Sequence, residues 1–271
     1  MSRFRYLLVE SANGIQTITL NRPEKRNSLS PELIDELTQV LKDAAECDCG
    51  VNILTGAGSA FCSGLDMEHL QTMTARTVEE HRRDSENMAR VLRTLYEFPK
   101  PIIAAVNGPA IAAGMGLATI CDFTLAVPDA RFGYTEVRVG FIPAIVASFL
   151  LRQVGEKRTR ELLLGARILK ADEALRYGLV TRVVMAEDLL AEAHTLGQTL
   201  LLNSPQSMRA VKELLAGHSE GRLDEEIEQA ISANALQRSQ ADFREGVSAF
   251  LEHRRPNWTS SHAKYAASGS R

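Results

Sequence analysis

Two glycine-containing segments could carry chemistry because each one follows an apolar run of the chain. The first is Phe61-Cys62-Ser63-Gly64-Leu65-Asp66, and the second extends from Asn107 to Gly116. Glycine lets the backbone approach a ligand closely. A helix that begins near Gly114 leaves its first N–H groups without intrahelical partners, and these groups attract negative charge. Two such amides, one from each segment, would form an oxyanion hole for negative charge that develops on a carbonyl oxygen.

The same small residues are also compatible with other roles. Small side chains at the start of a buried helix allow close packing against a sheet, so the two segments alone do not decide between packing and an oxyanion hole. A dinucleotide site is disfavoured because Gly56-Ala57-Gly58 lacks the third glycine before a helix. The sequence contains neither a Walker A phosphate loop nor the nucleophile elbow of lipases. Cys47 and Cys49 have no second cysteine pair and no clustered histidine, which argues against a metal site.

The composition is that of a globular protein without a strong excess of charge. The 271 residues include 31 Lys and Arg against 34 Asp and Glu, a formal net charge of −3, and 45% are apolar. This balance offers no broad basic surface for nucleic acid, and 6% aromatic residues offer few platforms for stacking bases. Leu7-Leu8-Val9 is too short for a signal-peptide core, and no run approaches about 18 apolar residues. We therefore expect a cytoplasmic protein with reduced cysteines and no membrane span.

The elements that must position the two segments alternate between strands and helices. Strands are predicted over 6–10, 15–20, 51–55, 102–106 and 123–127. Helices are predicted from 31 to about 44, over 78–96 and over 114–121, with a turn over 129–133. Asn13-Gly14 predicts a hairpin turn between the first two strands. This alternation indicates an α/β fold with a largely parallel sheet and right-handed crossovers.

The character of the chain changes after about Val184. Four helices are predicted there, over 186–202, 205–216, 223–237 and 241–253, with hardly a strand-like run between them. We therefore predict a core over 1–184 that carries the site, followed by an all-helical region over 185–271.

Six motifs follow one another along the chain in a characteristic order. They are Asn21 to Leu29, Phe61 to Asp66, Pro101 to Asp122, Phe132 to Pro143, Ala174 to Val180, and Phe250 to Pro256. Each motif alone is weak, but together they closely resemble the crotonase family, that is, the enoyl-CoA hydratase and isomerase superfamily. The resemblance extends over about 7–258. It implies a spiral core of repeated ββα units and a helical C-terminal region that builds homotrimers, often paired into hexamers.

The resemblance also implies an acyl-CoA substrate, in which coenzyme A is part of the substrate, so no separate cofactor and no metal are expected. By motif position, the backbone N–H groups of Leu65 and Ala113 would hold the thioester oxygen. Lys25 and Arg26 lie in the loop that the family uses for the CoA phosphates, although simple solvation explains such a pair equally well. Ser63 would offer its backbone to the adenine.

Further contacts with the substrate follow from the same resemblance. Arg254 and Arg255 could supply another charge for CoA, although His253 stands where the family often has lysine. The acyl pocket is expected to involve the variable segment 67–76, Phe141 and Ile145.

The sequence departs from the full hydratase pattern at one catalytic position. Well-known hydratases of the family carry two glutamates that share the reacting water. This chain has Gly116 at the first of these positions and Glu136 at the second. Glu136 is therefore the predicted acid/base. One carboxylate could activate water for addition to a 2-enoyl-CoA, and it could instead move a proton between C2 and C4 to isomerise a 3-enoyl-CoA.

Several alternatives stay open at this point. Asp66, Tyr134 or Ser148 could hold the water in place of a second glutamate, although the position of Asp66 is mainly structural in the family. A thioester hydrolase of the same fold and a non-catalytic acyl-CoA binder are less favoured functions. Hydration of a 2-enoyl-CoA is the preferred hypothesis.

Overall fold

The main sheet is parallel except at one edge. The computed structural model describes residues 3–218 and 220–258. Within them, the sheet contains β1 (Leu7–Ala12), β2 (Ile15–Leu20), β3 (Val51–Gly56), β4 (Ile102–Val106), β6 (Phe123–Ala126) and β9 (Arg182–Val183), in the order β1-β2-β3-β4-β6-β9. β1 and β2 form the antiparallel hairpin that Asn13-Gly14 predicts, and the other neighbours pair in parallel. All five predicted strands are confirmed, with ends that differ by at most two residues.

A second, smaller sheet lies close to the segment Asn107 to Gly116. It contains β5 (Ala110–Ile111), β7 (Arg131–Gly133) and β8 (Leu169–Lys170), with β7 in the centre. The prediction of a turn over 129–133 is therefore wrong for its last three residues. β7 pairs in parallel with β5 and antiparallel with β8, which lies more than thirty residues away in sequence. Such long-range pairing leaves no periodic signal in three residues.

The helices provide the layers around the sheets. They are α1 (Pro31–Glu46), α2 (Met67–Met73), α3 (Val78–Tyr96), α4 (Ala113–Ile120), α5 (Ala144–Gly165), α6 (Ala171–Tyr177), α7 (Leu189–Leu201), α8 (Pro205–Gly217), α9 (Glu220–Gln237) and α10 (Ala241–Leu251). None of the helices that the structure describes is long and apolar enough to cross a membrane. The predicted helices are confirmed within a few residues, whereas α2, α5 and α6 had not been predicted.

Local side-chain chemistry explains where α1 and α3 begin. The Ser30 hydroxyl accepts a hydrogen bond from the Leu33 N–H (3.3 Å) at the start of α1, where Pro31 occupies the first helical position. α3 begins with a capping box in which Thr77 and Glu80 exchange hydrogen bonds. These signals are local, so the sequence shows them.

The C-terminal helices pack directly on the predicted core. α9 lies against α3 and α5, and Leu223, Ile227 and Ile231 belong to the same buried cluster as the main sheet. α10 packs against the short 3-10 helix Glu136–Val139 so closely that a Cβ on Gly246 would lie 2.3 Å from the Val139 carbonyl carbon. The division near 184 stays a prediction, but the helices beyond it contribute walls to the site described next.

Candidate active site

One cavity brings together six of the site residues predicted from the sequence. It has a volume of about 770 Å³, and its lining includes Lys25, Arg26, Ser63, Leu65, Ala113 and Glu136. Members of the predicted acyl pocket, such as Met67, Phe141 and Ile145, also line it. The walls come from both glycine-containing segments, from the 3-10 helix Glu136–Val139, and from helices of the C-terminal region. The cavity therefore combines residues from Glu24 to Pro256, which are 232 positions apart in sequence.

Close backbone packing joins the two glycine-containing segments. The Ile111 N–H donates to the Cys62 carbonyl (2.9 Å), and Cys62 forms an isolated parallel bridge with Ala110. A Cβ on Gly114 would lie 2.2 Å from the Cys62 carbonyl oxygen, which is shorter than any tolerable contact. Glycine at 114 is therefore required for the start of α4 to approach the first segment.

The Leu65 amide is free because its neighbours make the local hydrogen bonds. Leu29 pairs with Leu65 as a parallel bridge, in which the Leu29 N–H donates to the Gly64 carbonyl (2.7 Å) and the Asp66 N–H donates to the Leu29 carbonyl (3.0 Å). The N–H of Leu65 itself has no acceptor within the part of the chain that the structure describes. A backbone donor without a partner at a cavity is available to a ligand.

The Ala113 amide is free because it opens α4. The preceding residue, Ala112, has φ 52° and ψ −126°, and no side chain caps the helix. The Ala112 N–H donates to the Gly133 carbonyl (2.7 Å), whereas the Ala113 N–H has no acceptor among the described residues. A positive φ outside glycine costs on the order of 1–3 kcal/mol, a strain that is typical of functional sites. Leu65 and Ala113 thus offer the two donors of the predicted oxyanion hole.

Glu136 is a buried carboxyl group with an unsatisfied oxygen. It begins the 3-10 helix and is 8% exposed. Its Oε2 is buried and has no hydrogen-bond partner among the residues that are described. Burial raises the pKa of Glu136 to about 7, although a hydrogen bond from a backbone N–H lowers this pKa by a smaller amount. A carboxyl group with such a pKa can accept and return a proton near neutral pH.

The absence of a second glutamate has a steric explanation. A Cβ on Gly116 would lie 2.8 Å from Cγ1 of Val146, and Leu92 is the next neighbour. Val146 and Leu92 line the cavity, but Gly116 does not. A glutamate at 116 would thus need the Val146 side chain to move.

The alternative water-holding residues lie elsewhere or have other partners. Asp66 caps α2 and forms an ion pair with Arg22 (2.8 Å). Burial would raise the pKa of Asp66, but the hydrogen bonds from Arg22 and from the Glu68 amide lower it. Tyr134 is buried, with its hydroxyl 3.5 Å from that of Thr119. Neither Tyr134 nor Ser148 is part of the cavity lining. Of the three, Asp66 alone lines the cavity, in a structural role.

Several cations contribute to the lining of the cavity. Lys25 pairs with Glu68 (2.6 Å), a hydrogen bond that raises the pKa of Lys25. The Arg26 carbonyl accepts the Ser63 N–H (3.1 Å), which ties the predicted phosphate loop to the first glycine-containing segment. Arg254 also lines the cavity and pairs with Glu245 (2.6 Å), whereas Arg255 does not line it.

The sequence analysis missed a polar cluster in the same cavity. Asp84 of α3 and both Asn234 and Arg238 of α9 line it. Arg238 donates to Asp84 (2.6 Å), which lies 154 positions earlier. Each residue looks like an ordinary polar member of an amphipathic helix, so no local signal could have identified the group.

Comparisons with known proteins agree with this geometry. A family model described as enoyl-CoA hydratase/isomerase matches residues 10–261. The chain belongs to the enoyl-CoA hydratase/isomerase family. A Thermus thermophilus protein, provisionally named enoyl-CoA hydratase, is 43% identical over 90% of this chain and 97% of its own. The crotonyl-CoA hydratase of Syntrophomonas wolfei is 33% identical over 95% of this chain and 99% of its own.

Solved structures confirm the predicted crotonase-like α/β fold of this enoyl-CoA hydratase/isomerase family member. The crystal structure of an enoyl-CoA hydratase/isomerase from Xanthobacter autotrophicus superposes with a TM-score of 0.84 at 31% identity. The match covers 93% of this chain and 97% of that one, so it includes the C-terminal helices as well as the sheets.

Proposed function

We propose that this protein is an enoyl-CoA hydratase, which adds water across the 2,3 double bond of a 2-enoyl-CoA thioester. The observation that carries the proposal is the buried Glu136 carboxyl, unsatisfied at Oε2 among the described residues, in a cavity that also exposes two unpaired backbone amides. The crotonyl-CoA hydratase activity named for the Syntrophomonas wolfei relative supports the same reaction.

The two amides would activate the thioester. The carbonyl oxygen accepts hydrogen bonds from the N–H groups of Leu65 and Ala113, which withdraws electron density from C3 and makes it electrophilic. As water adds at C3, the π electrons move toward the carbonyl, and negative charge grows on the oxygen. Each preorganised donor is worth about 2.7–4 kcal/mol in the transition state. The strain at Ala112 serves to hold one of these donors in place.

Glu136 would move the protons. Its ionised carboxylate accepts one proton from water while the water oxygen bonds to C3. The resulting carboxylic acid then gives a proton to C2 as the enolate collapses, which yields a 3-hydroxyacyl-CoA and regenerates the carboxylate. Both steps use one group, so a pKa near the working pH is favourable in each direction.

The CoA portion would lie along the cationic part of the cavity. Lys25, Arg26 and Arg254 would contact the phosphate groups, Lys25 and Arg254 in exchange for their ion pairs with Glu68 and Glu245, and Ser63 lies next to Arg26 for the adenine. Because CoA belongs to the substrate, the proposed reaction uses no separate cofactor or metal.

A second candidate function is isomerisation of a 3-enoyl-CoA to a 2-enoyl-CoA on the same site. It is favoured by Gly116, which supplies no second carboxylate to orient water, and a Cβ at this position would lie 2.8 Å from Cγ1 of Val146. In this reaction Glu136 takes a proton from C2 and returns it at C4, and the same two amides stabilise the dienolate.

Four measurements on one preparation discriminate the candidates. We expect crotonyl-CoA to lose the absorbance of its conjugated double bond faster than a 3-enoyl-CoA gains it. Fast isomerisation without detectable hydration would replace the proposal with the isomerase. Release of free CoA into a thiol reagent would indicate a hydrolase. Calorimetric binding of acyl-CoA without turnover in any assay would indicate a binding protein.

A further inference from the structure

A buried ionic network forms part of the cavity wall. Arg238 is 4% exposed, and its Nη1 donates to Oδ2 of Asp84 (2.6 Å). His69 of α2 contacts the other carboxylate oxygen of Asp84 through Nε2 (2.8 Å). The guanidinium of Arg238 also lies over the Phe141 ring, 4.6 Å from its centroid. α2, α3 and α9 thus hold the guanidinium in one orientation at the cavity.

Two buried polar atoms in this part of α9 have no partner among the residues that the structure describes. They are Nε of Arg238 and Oδ1 of Asn234, a side chain that is 3% exposed. Both residues line the cavity, one helical turn apart on α9. A buried donor without an acceptor is unfavourable, so such groups are retained where something else satisfies them.

The network has an excess of positive charge and of donors. Burial would raise the pKa of Asp84, but His69 and Arg238 lower it to about 2, so Asp84 is ionised. Two guanidinium groups lie near this single carboxylate. One is that of Arg238, and the other is that of Arg76, whose Nη1 is 3.9 Å from Oδ1 of Asp84. Arg238 has five N–H donors, and within the described residues its side chain donates a hydrogen bond to Asp84. An anionic acceptor at the cavity would balance this charge and satisfy the Nε–H donor of Arg238.

We infer that Arg238 and Asn234 form a subsite for a carboxylate carried at the far end of the substrate's acyl chain. The inference rests on the proposed function, because it extends the acyl pocket of that site. A carboxylate would accept from Nε–H of Arg238 and from the NH2 of Asn234, whose amide can turn either end to the ligand. The apolar side chains of Met88, Leu92 and Val146 line the same cavity and suit the methylene groups of the chain.

Binding of unreactive thioesters tests the subsite without any need for catalysis. We would measure by calorimetry the Kd of glutaryl-, adipyl- and suberyl-CoA and of the length-matched pentanoyl-, hexanoyl- and octanoyl-CoA. The subsite predicts at least tenfold tighter binding of the carboxylate at one or more lengths. Equal or tighter binding of the alkyl thioester at every length would overturn the inference, even if crotonyl-CoA is hydrated. Failure of hydration with a retained carboxylate preference would overturn only the proposed function.

Two variants of the subsite make the test specific. Arg238→Lys keeps a charge beside Asp84 but loses Nε–H, and Asn234→Leu replaces the unpaired amide with an apolar group of similar volume. For each length, the Kd of the alkyl thioester is divided by the Kd of the carboxylate-bearing thioester. Both variants should lower this Kd ratio by at least fivefold. Asn234→Leu should also leave the Tm of the ligand-free protein unchanged or raised, because it removes an unsatisfied buried group.

Arg152→Gln is the matched control. Arg152 is a partly buried arginine that binds Glu226 of α9 (2.6 Å) but does not line the cavity. The control should leave the Kd ratio within twofold of the wild-type value. The inference fails if both subsite variants leave the ratio unchanged or if Arg152→Gln lowers it equally.

Discussion

When the pH rises through the titration range of Glu136, activity and stability should change in opposite directions. Burial raises its pKa from an ordinary value of 4.5 to about 7. Between these values the folded protein holds a proton that the unfolded chain has released. The free energy of unfolding therefore falls as the pH rises through this window, by up to about 3 kcal/mol from this residue. Activation of water requires the ionised form, so activity should rise over the same range.

The pH profile of kcat/KM for crotonyl-CoA should show this behaviour. We expect a nearly tenfold rise per pH unit below about 7 and a plateau above it. Urea unfolding from pH 5 to 8 should show stability falling with pH in the wild type, and Glu136→Gln should remove the part that Glu136 contributes. Parallel stability curves for the two proteins would contradict a raised pKa for Glu136.

At the scale of elements, the oxyanion hole depends on how closely two loops approach each other. Gly114 allows the start of α4 to pack against the Cys62 carbonyl, and Gly64, at φ 91°, lies so close to the second segment that a Cβ on it would be 3.0 Å from the Ala112 Cβ. The amides of Leu65 and Ala113 come from different loops, so a small separation of the loops would displace one donor relative to the other. Misplacement of about 1 Å can lower a rate a hundredfold.

Gly114→Ala should therefore weaken both stability and catalysis. We expect a loss of at least about 1–3 kcal/mol in the free energy of unfolding, because the new Cβ overlaps backbone, and at least a tenfold loss of kcat/KM. Gly165→Ala is the control, since a Cβ there meets nothing within 4 Å at the end of α5. Unchanged kinetics in Gly114→Ala would contradict the proposed geometry of the hole.

The sequence predicts the elements whose signals are local. Ser30-Pro31 marks the start of α1, and the apolar run 102–106 marks a strand that is buried along its whole length. β7 escaped prediction because its three residues acquire strand structure only from β5 and β8. The predicted site residues were identified by their motifs and lie in one cavity. The Asp84–Arg238 pair was not, because it joins two helices that are distant in sequence.

At the scale of the whole molecule, α8 has an apolar surface that is exposed among the residues that the structure describes. No residue of α8 is buried, and Val211, Leu214 and Leu215 are each more than half exposed. Contiguous apolar groups on a helix are typical of an interaction surface. We propose that copies of this chain cover the surface by assembling as the trimer or hexamer that the family resemblance implies.

Sedimentation equilibrium would test the assembly. The expected mass is three or six times that of the 29.8 kDa chain. Leu214→Glu places a charge on the α8 surface and should shift the mass toward that of the monomer, with unchanged helix content by circular dichroism. A wild-type monomer at micromolar concentration would contradict the proposal.

The most direct measurement of the central claim is the hydration rate of Glu136→Gln with crotonyl-CoA. Glutamine keeps the shape of the side chain but cannot accept and return a proton. Glu161→Gln is the control, because Glu161 is an exposed residue that pairs with Arg167 outside the cavity. We predict a loss of kcat of at least about 100-fold in Glu136→Gln and less than about twofold in Glu161→Gln. Activity of Glu136→Gln within a few-fold of the wild type would show that Glu136 is not the acid/base.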